Sequence, residues 1–233
     1  MSESAVYLQP AFILQHRPYR ETSRLLEVYT RDFGIVSVLA KGVRQQKSKL
    51  AGMLLPFSLL HISYLDKSEL KILTQTEFVC NYALQRLALY CGFYLNELLQ
   101  RFLFRNDPHP ELFAGYQACL GELREGLNIE QALRYFELEV LEACGYAVDL
   151  VVDHRDQEVD RLSRYSFKAN VGLVEDGEGC ISGASLRMLS VKTQLQGAAL
   201  LEAKQFLRAM LDVHLQGKPL QSREVLAKMI KYL

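Results

Sequence analysis

The chain has no charge excess of either sign: 27 lysines and arginines stand against 27 aspartates and glutamates, a formal net charge of zero. Overall charge therefore gives no support to nucleic-acid binding, and any such role must rest on a local patch. No uninterrupted apolar run approaches the roughly 18 residues that a membrane-spanning helix needs. Residues 1–10 carry Glu3 and no basic stretch, which is not the form of a secretory signal. The expected compartment is the cytosol. Cysteine is sparse and unpaired. Cys80, Cys91, Cys119, Cys144 and Cys180 form no CxxC, a poor framework for disulfides or for zinc, so reduced structural thiols are expected. Internal repeats and low-complexity tracts are missing too. What is present is a chain of 233 residues, 49% hydrophobic and 23% charged, enough for one large domain or two modest ones with a real core.

The pattern changes character near residue 80. Ahead of it lie five short strand-like runs: Ala5 to His16, Ser23 to Thr30, Ile35 to Lys41, Leu54 to Leu65 and Leu70 to Val79. The first is expected to stop at the Arg17-Pro18-Tyr19 break. The second and third are joined through Arg31-Asp32-Phe33-Gly34, where Gly34 supplies the positive φ of a tight hairpin. The fourth and fifth pair across Asp66-Lys67-Ser68. In the fifth, Leu70, Ile72 and Phe78 alternate with Lys71, Gln75 and Glu77, the pattern of a sheet with one wet face. Five strands in about 80 residues suit a five-stranded OB-fold-like β-barrel, with an SH3-like barrel as the alternative.

From residue 81 the period lengthens to that of amphipathic helices. Leu84 to Phe102 forms the first, ending before Asn106-Asp107-Pro108, and Leu112 to Leu123 the second, with Gly126 beyond it. Asn128 is expected to cap the third, with Gln131 at the capping-box position, and Gly145 to end it. Residues of about 146–185 read as a loop-rich insertion with a small hairpin around Tyr165 to Val174. Helical spacing returns from Leu200 to His214 and again after Ser222. The fold class is thus α+β in two parts: an OB-fold-like barrel over 1–80, and an all-helical domain with an irregular insertion over 81–233.

Residues 1–80 carry ten cations to seven anions, so the rest of the chain has an excess of three anions. The sharpest basic cluster is Lys41, Arg44, Lys47 and Lys49, with no acid between Ile35 and Leu65. Arg17, Arg20 and Arg24 form a second group around Pro18 and Tyr19. Flexible cations on a loop between two strands suit phosphates, and Tyr19 and Phe33 lie near them in sequence as stacking candidates for unpaired bases. A solvated loop and strand edge is the plainer alternative. Gly42, Lys47 and Ser48 only imitate a phosphate-binding loop, because Gln46 stands where the second glycine belongs. Asp149, Asp153, Asp156, Glu158 and Asp160 raise the question of a metal-dependent nuclease, but interleaved Arg155 and Arg161 favour an exposed loop. Histidine spacing offers no metal site, and no nucleophilic or acid–base constellation is present. No cofactor, metal or catalytic activity is expected.

Several segments form an ordered set of motifs. In the barrel these are Arg17-Pro18-Tyr19-Arg20-Glu21-Thr22-Ser23, Tyr29-Thr30 through Gly34, Ala40-Lys41-Gly42-Val43-Arg44, Leu55-Pro56-Phe57 and Glu69-Leu70-Lys71. In the helical part they are Tyr94-Leu95-Asn96-Glu97-Leu98, Arg134-Tyr135-Phe136-Glu137 and the stretch from Gly217 to Glu224. Together they resemble the RecO family of bacterial recombination mediators, nearly end to end and in the expected order.

That resemblance implies an N-terminal OB-fold binding single- and double-stranded DNA, joined to a helical domain. It further implies annealing of complementary strands, including strands coated by single-strand-binding protein, and assistance with RecR in loading RecA. Lys41 and Arg44 then fall in the family's Ala-Lys-Gly-x-Arg segment, continued by Lys47 and Lys49. The acidic tail of single-strand-binding protein is expected to dock on the helical domain, with Arg134 and Arg208 as candidate contacts. Many relatives carry a four-cysteine zinc site in the insertion; with only Cys180 there and Cys144 before it, this chain is expected to lack one. A helical protein adaptor with weak DNA contact is the competing function. The implied location is cytoplasmic, at the nucleoid.

Overall fold

The computed structural model describes residues 4–46, 48–215 and 217–230, the side chains of Lys49 and Ile230 excepted. By compactness the chain divides between Glu125 and Gly126. The first unit holds strands β1 (Ala5–Tyr19), β2 (Ser23–Thr30), β3 (Gly34–Ala40), β4 (Ser58–Leu65) and β5 (Leu70–Asn81), followed by helices α1 (Arg86–Phe102) and α2 (Pro110–Glu125). The strands close a barrel in the order β1-β2-β3-β5-β4, with β3 and β5 parallel and all other pairs antiparallel. That is the five-stranded OB-like arrangement expected from the sequence.

Period-two alternation fills the barrel. Leu26 and Val28, Val36, Val38 and Ala40, and Leu60, Ile62 and Tyr64 turn inward, while Val43 and Leu54 enter from the long β3–β4 connection. The opposite face of β1 and β2 is not wet. Phe12 and Tyr29, partners across the ladder, pack against Phe113 and Tyr116 of α2 with ring centroids 5.0–6.1 Å apart. The change of character near residue 80 marks where strands give way to helices, yet α1 and α2 belong compactly with the barrel.

Three local expectations change. β1 runs through Pro18, which sits opposite Arg24 in the ladder instead of ending the strand. The alternation in β5 does not become a buried face. Register shifts against β4 insert Thr74 and Val79 and break its phase, leaving Phe78 51% exposed. Asn128 precedes its helix in the left-handed conformation (φ 57°) with no side-chain cap bond, and Gln131 instead accepts a hydrogen bond from the Leu195 amide at 2.7 Å. The Gly34 turn does form as read, with φ 63° and Thr30 Oγ1 bonded to the Gly34 carbonyl at 2.8 Å.

The second unit starts at Gly126 and contains α3 (Ile129–Ala143), the hairpin β6 (Arg164–Lys168) and β7 (Gly172–Glu175), strand β8 (Ile181–Ser182), α4 (Gly183–Ser190), α5 (Ala198–His214) and α6 (Gln221–Ile230). The insertion is therefore more ordered than its glycine-dotted sequence suggests. Its sheet runs β7-β6-β8, and Ser182 caps α4 by accepting the Ser185 amide. Glu202 of α5 anchors it, accepting hydrogen bonds from Ser182 Oγ (2.8 Å), Ser185 Oγ (2.6 Å) and Arg164 Nη1 (3.1 Å). Burial raises the Glu202 carboxyl, but these bonds outweigh it and hold the group below its ordinary value. All five cysteines are free thiols. Among the described residues no helix is long and apolar enough to cross a membrane.

Candidate nucleic-acid interface

The two basic groups, some twenty residues apart in sequence, meet at one end of the barrel. The Arg44 amide donates to the Thr22 carbonyl at 2.8 Å, and Arg44 Nη1 donates to the Arg20 carbonyl at 3.2 Å. The loop after β3 is thereby laid on the β1–β2 turn, helped by Gly42 at φ 67°. Arg17, Arg20, Lys41 and Arg44 are exposed there. Arg24, half-buried, reaches the Ala51 carbonyl at 3.4 Å and holds the short 3-10 helix Lys49–Gly52. The segments 17–24 and 41–46 contain five cations and a single acid, Glu21. The Arg20 guanidinium lies over the Tyr19 ring, 5.4 Å from its centroid. Lys47 and the side chain of Lys49 lie outside the described residues.

Beside this end a cleft of about 430 Å³ opens on the barrel wall. His16, Arg17 and Tyr19 of β1, Leu25 and Glu27 of β2, Glu69 before β5, and Arg105 line it. The β2 face and the loops flanking β1–β2 and β4–β5 are where OB-folds take extended polymers. Burial, followed by the charge of Arg24, lowers the His16 pKa, so this ring is neutral at pH 7. Arg105 had no signal in the sequence: it follows α1, far along the chain from the basic segments 17–24 and 41–49. Phe33 does not join Tyr19. Its turn lies at the other end of β2, and its ring meets Tyr64 at 6.3 Å.

In the second unit Arg134 corrects the sequence reading. It is 5% exposed and ion-paired with Glu137, itself buried, so it is an internal partner of that carboxylate and offers no surface cation. Arg208 is exposed and borders a cleft of about 390 Å³ between α5 and α6. Leu215 and Leu220 supply apolar lining there, Lys218 and Arg223 further positive charge. Asp212 receives both Arg208, at 3.6 Å, and Arg223.

The acids of 149–160 do not converge. Asp149 accepts the Val151 and Val152 amides, Asp153 those of Arg155 and Gln157, and Asp160 that of Leu162. Each shapes its own turn. Among the described residues no group of three or more His, Cys, Asp or Glu side chains is placed to hold a metal ion.

Comparison with known proteins divides the chain near residue 83, where strands give way to helices, and not at the boundary of the compact units. The family model described as Recombination protein O N terminal matches residues 1–82, and its C-terminal counterpart matches residues 84–224. The chain is 41% identical over 226 residues to the DNA repair protein RecO of Methylococcus capsulatus, covering 95% of this chain and 93% of the relative. Against the proteins of the same name from Burkholderia pseudomallei and Haemophilus influenzae the identity is 38%. In both, 97% of this chain is covered, with 84% and 98% of the respective relatives. Matched in both halves, and by relatives along nearly its whole length, this chain belongs to the recombination protein O (RecO) family.

Proposed function

We propose that the protein is a recombination mediator in DNA repair: it binds single- and double-stranded DNA through the barrel and anneals complementary strands without a catalytic step. The observation that carries this reading is the meeting of Arg20, Lys41 and Arg44 beside Tyr19, which masses exposed cations at one end of the barrel in a chain whose net charge is zero. Two complementary strands repel each other as polyanions. Cations held in common by both lower that repulsion and release counterions. Arg17 and, less directly, Arg24 belong to the same basic surface, Lys47 and Lys49 join the reading through the basic sequence of their loop, and Tyr19 offers a face on which an unpaired base stacks.

The helical domain supplies the second half of the activity. Its α5–α6 cleft combines apolar walls with Arg208, Lys218 and Arg223, a lining suited to the acidic tail of single-strand-binding protein. Competition for that tail loosens the coat on a strand. In this reading the protein works with RecR to help place RecA on the cleared strand, in the cytoplasm at the nucleoid. Family membership supports it. A metal-dependent nuclease is disfavoured by the dispersal of the 149–160 acids into separate turns.

The test is annealing of complementary oligonucleotides coated beforehand with the cognate single-strand-binding protein. Acceleration by this chain, lost at high salt, is expected. No acceleration, together with negligible oligonucleotide binding in a salt titration, would leave the adaptor reading in its place.

A further inference from the structure

Among the described residues Arg105 is the one cation in the barrel cleft that comes from outside the strands, and the fold goes to some length to place it. Its segment forms a parallel bridge with Ile35, and the Asn106 amide donates to the Ile35 carbonyl at 3.1 Å. The backbone of Asp107 comes so close to Gly34 that a Cβ there would lie 2.3 Å from the Asp107 oxygen. With the segment docked this way, the Arg105 guanidinium reaches into the cleft. Nη2 pairs with Glu27 Oε1 at 2.5 Å and Nη1 donates to Ser37 Oγ.

The pair is poised for exchange. The Arg105 side chain is 50% exposed and that of Glu27 28%, so water screens their attraction. Glu27 Oε2 also accepts from Gln100 Nε2 at 3.1 Å, and the same amide lies 3.3 Å from Gln15 Oε1. If Arg105 turned away, Glu27 would keep a hydrogen-bond partner. Arg17 and Tyr19 line the same cleft. A phosphate between Arg17 and Arg105 would receive planar, multiply donating groups from both, the geometry in which arginine binds phosphate oxygens best.

We propose that Glu27 and Arg105 form an internal latch on this cleft, and that a nucleic-acid phosphate opens it by replacing the Glu27 carboxylate on Arg105. The proposal rests on reading the barrel as the nucleic-acid module and adds to it a ligand and a competitor. Glu27 occupies in the free protein the place the phosphate takes in the complex. Binding is therefore an exchange of one anion for another, and the acid sets its strength.

The experiment is a salt titration of a fluorescent single-stranded oligonucleotide against the full chain, Glu27→Gln, Arg105→Gln, the double variant, and Lys41→Ala with Arg44→Ala. Thermal melting accompanies each titration to establish folding. Glu27→Gln is expected to tighten binding about threefold to tenfold, and Arg105→Gln to weaken it by a similar factor. The Arg105 change should also reduce the log–log salt slope by about 1. The gain from Glu27→Gln must disappear in the Arg105→Gln background. A gain that persists there makes Glu27 a plain repelling charge and overturns the latch. If the Lys41 and Arg44 changes weaken binding while Arg105→Gln does nothing, the latch fails and the function stands. If none of them alters binding, the nucleic-acid reading itself fails.

Discussion

Asn96 of α1 donates from Nδ2 to the carbonyl oxygen of Leu14 in β1 at 2.9 Å, deep inside the first unit. Leu14 is where the β1–β2 register slips between Ile13 and Gln15, so its carbonyl has left the ladder and needs another donor. The Asn96 Oδ1 in turn accepts the Tyr116 hydroxyl at 2.6 Å. Burial pushes the Tyr116 hydroxyl far above its ordinary pKa, so it stays a donor at any physiological pH. One asparagine thus joins a bulge in the barrel to both helices packed on it.

Replacing Asn96 with leucine is expected to cost on the order of 3 kcal/mol, because it removes a bond from each of two buried polar groups. The check is urea denaturation, with a lowered midpoint at unchanged slope. A midpoint within error of the parent would show that the bulge carbonyl has another solution.

Lys41→Ala with Arg44→Ala is expected to weaken binding to every oligonucleotide sequence alike and to flatten the salt dependence by about 1–2 in log–log slope. Neither lysine nor guanidinium is buried, so the melting temperature should stay within a degree or two. Loss confined to one sequence would point to base readout instead of phosphate contact.

Reversing charge at Arg208 and Lys218 to glutamate is expected to weaken capture of an acidic, apolar-ended peptide by about tenfold or more, while leaving oligonucleotide binding by the barrel unchanged. Fluorescence anisotropy with the two probes separates these effects. Arg134→Glu is the contrasting case. Its target is a buried ion pair with Glu137, so the expected result is destabilisation of the fold by about 3–5 kcal/mol.

Two turns of the insertion should be acid-sensitive. Bonds from the Gln157 and Arg155 amides hold the Asp153 carboxyl below its ordinary 3.8, and the Ser166 hydroxyl and Glu178 amide do the same for Asp176. A carboxyl depressed in the folded state contributes stability that is whole above its unfolded value. That contribution is lost as pH falls through 3.8 toward the native value. Amide NMR signals of 153–157 and 176–179 are expected to hold from pH 7 to about 5 and to change together below 3.8. Asp176→Asn should remove the transition in its own loop, and signals unmoved at pH 2.5 would contradict the assignment.

The sequence by itself determined the elements whose forces are local. Alternation at Leu26–Val28 and Leu60–Ile62–Tyr64 places one face inside whatever the fold around it, and Gly34 is where the backbone needs positive φ. Helical spacing through α1, α2, α3 and α5 was equally legible. The basic character of 17–24 and 41–49 was readable too, because charge is a property of the residues themselves.

What only the tertiary structure decided was who stands beside whom. The two basic segments become one surface through the Arg44 bonds to Arg20 and Thr22, which no periodicity encodes. Arg134 and Arg208 look alike as helical arginines, yet one is buried against Glu137 and the other faces a cleft. β5 kept its alternating letters while two bulges shifted their phase, and Phe78 came out into solvent. Arg105 reached Glu27 across 78 residues of sequence because a glycine at position 34 let one backbone lie against another. Such placements follow from long-range packing and the pairing of buried or clustered polar groups. Those interactions depend on distance in space and leave no spacing in the chain to read.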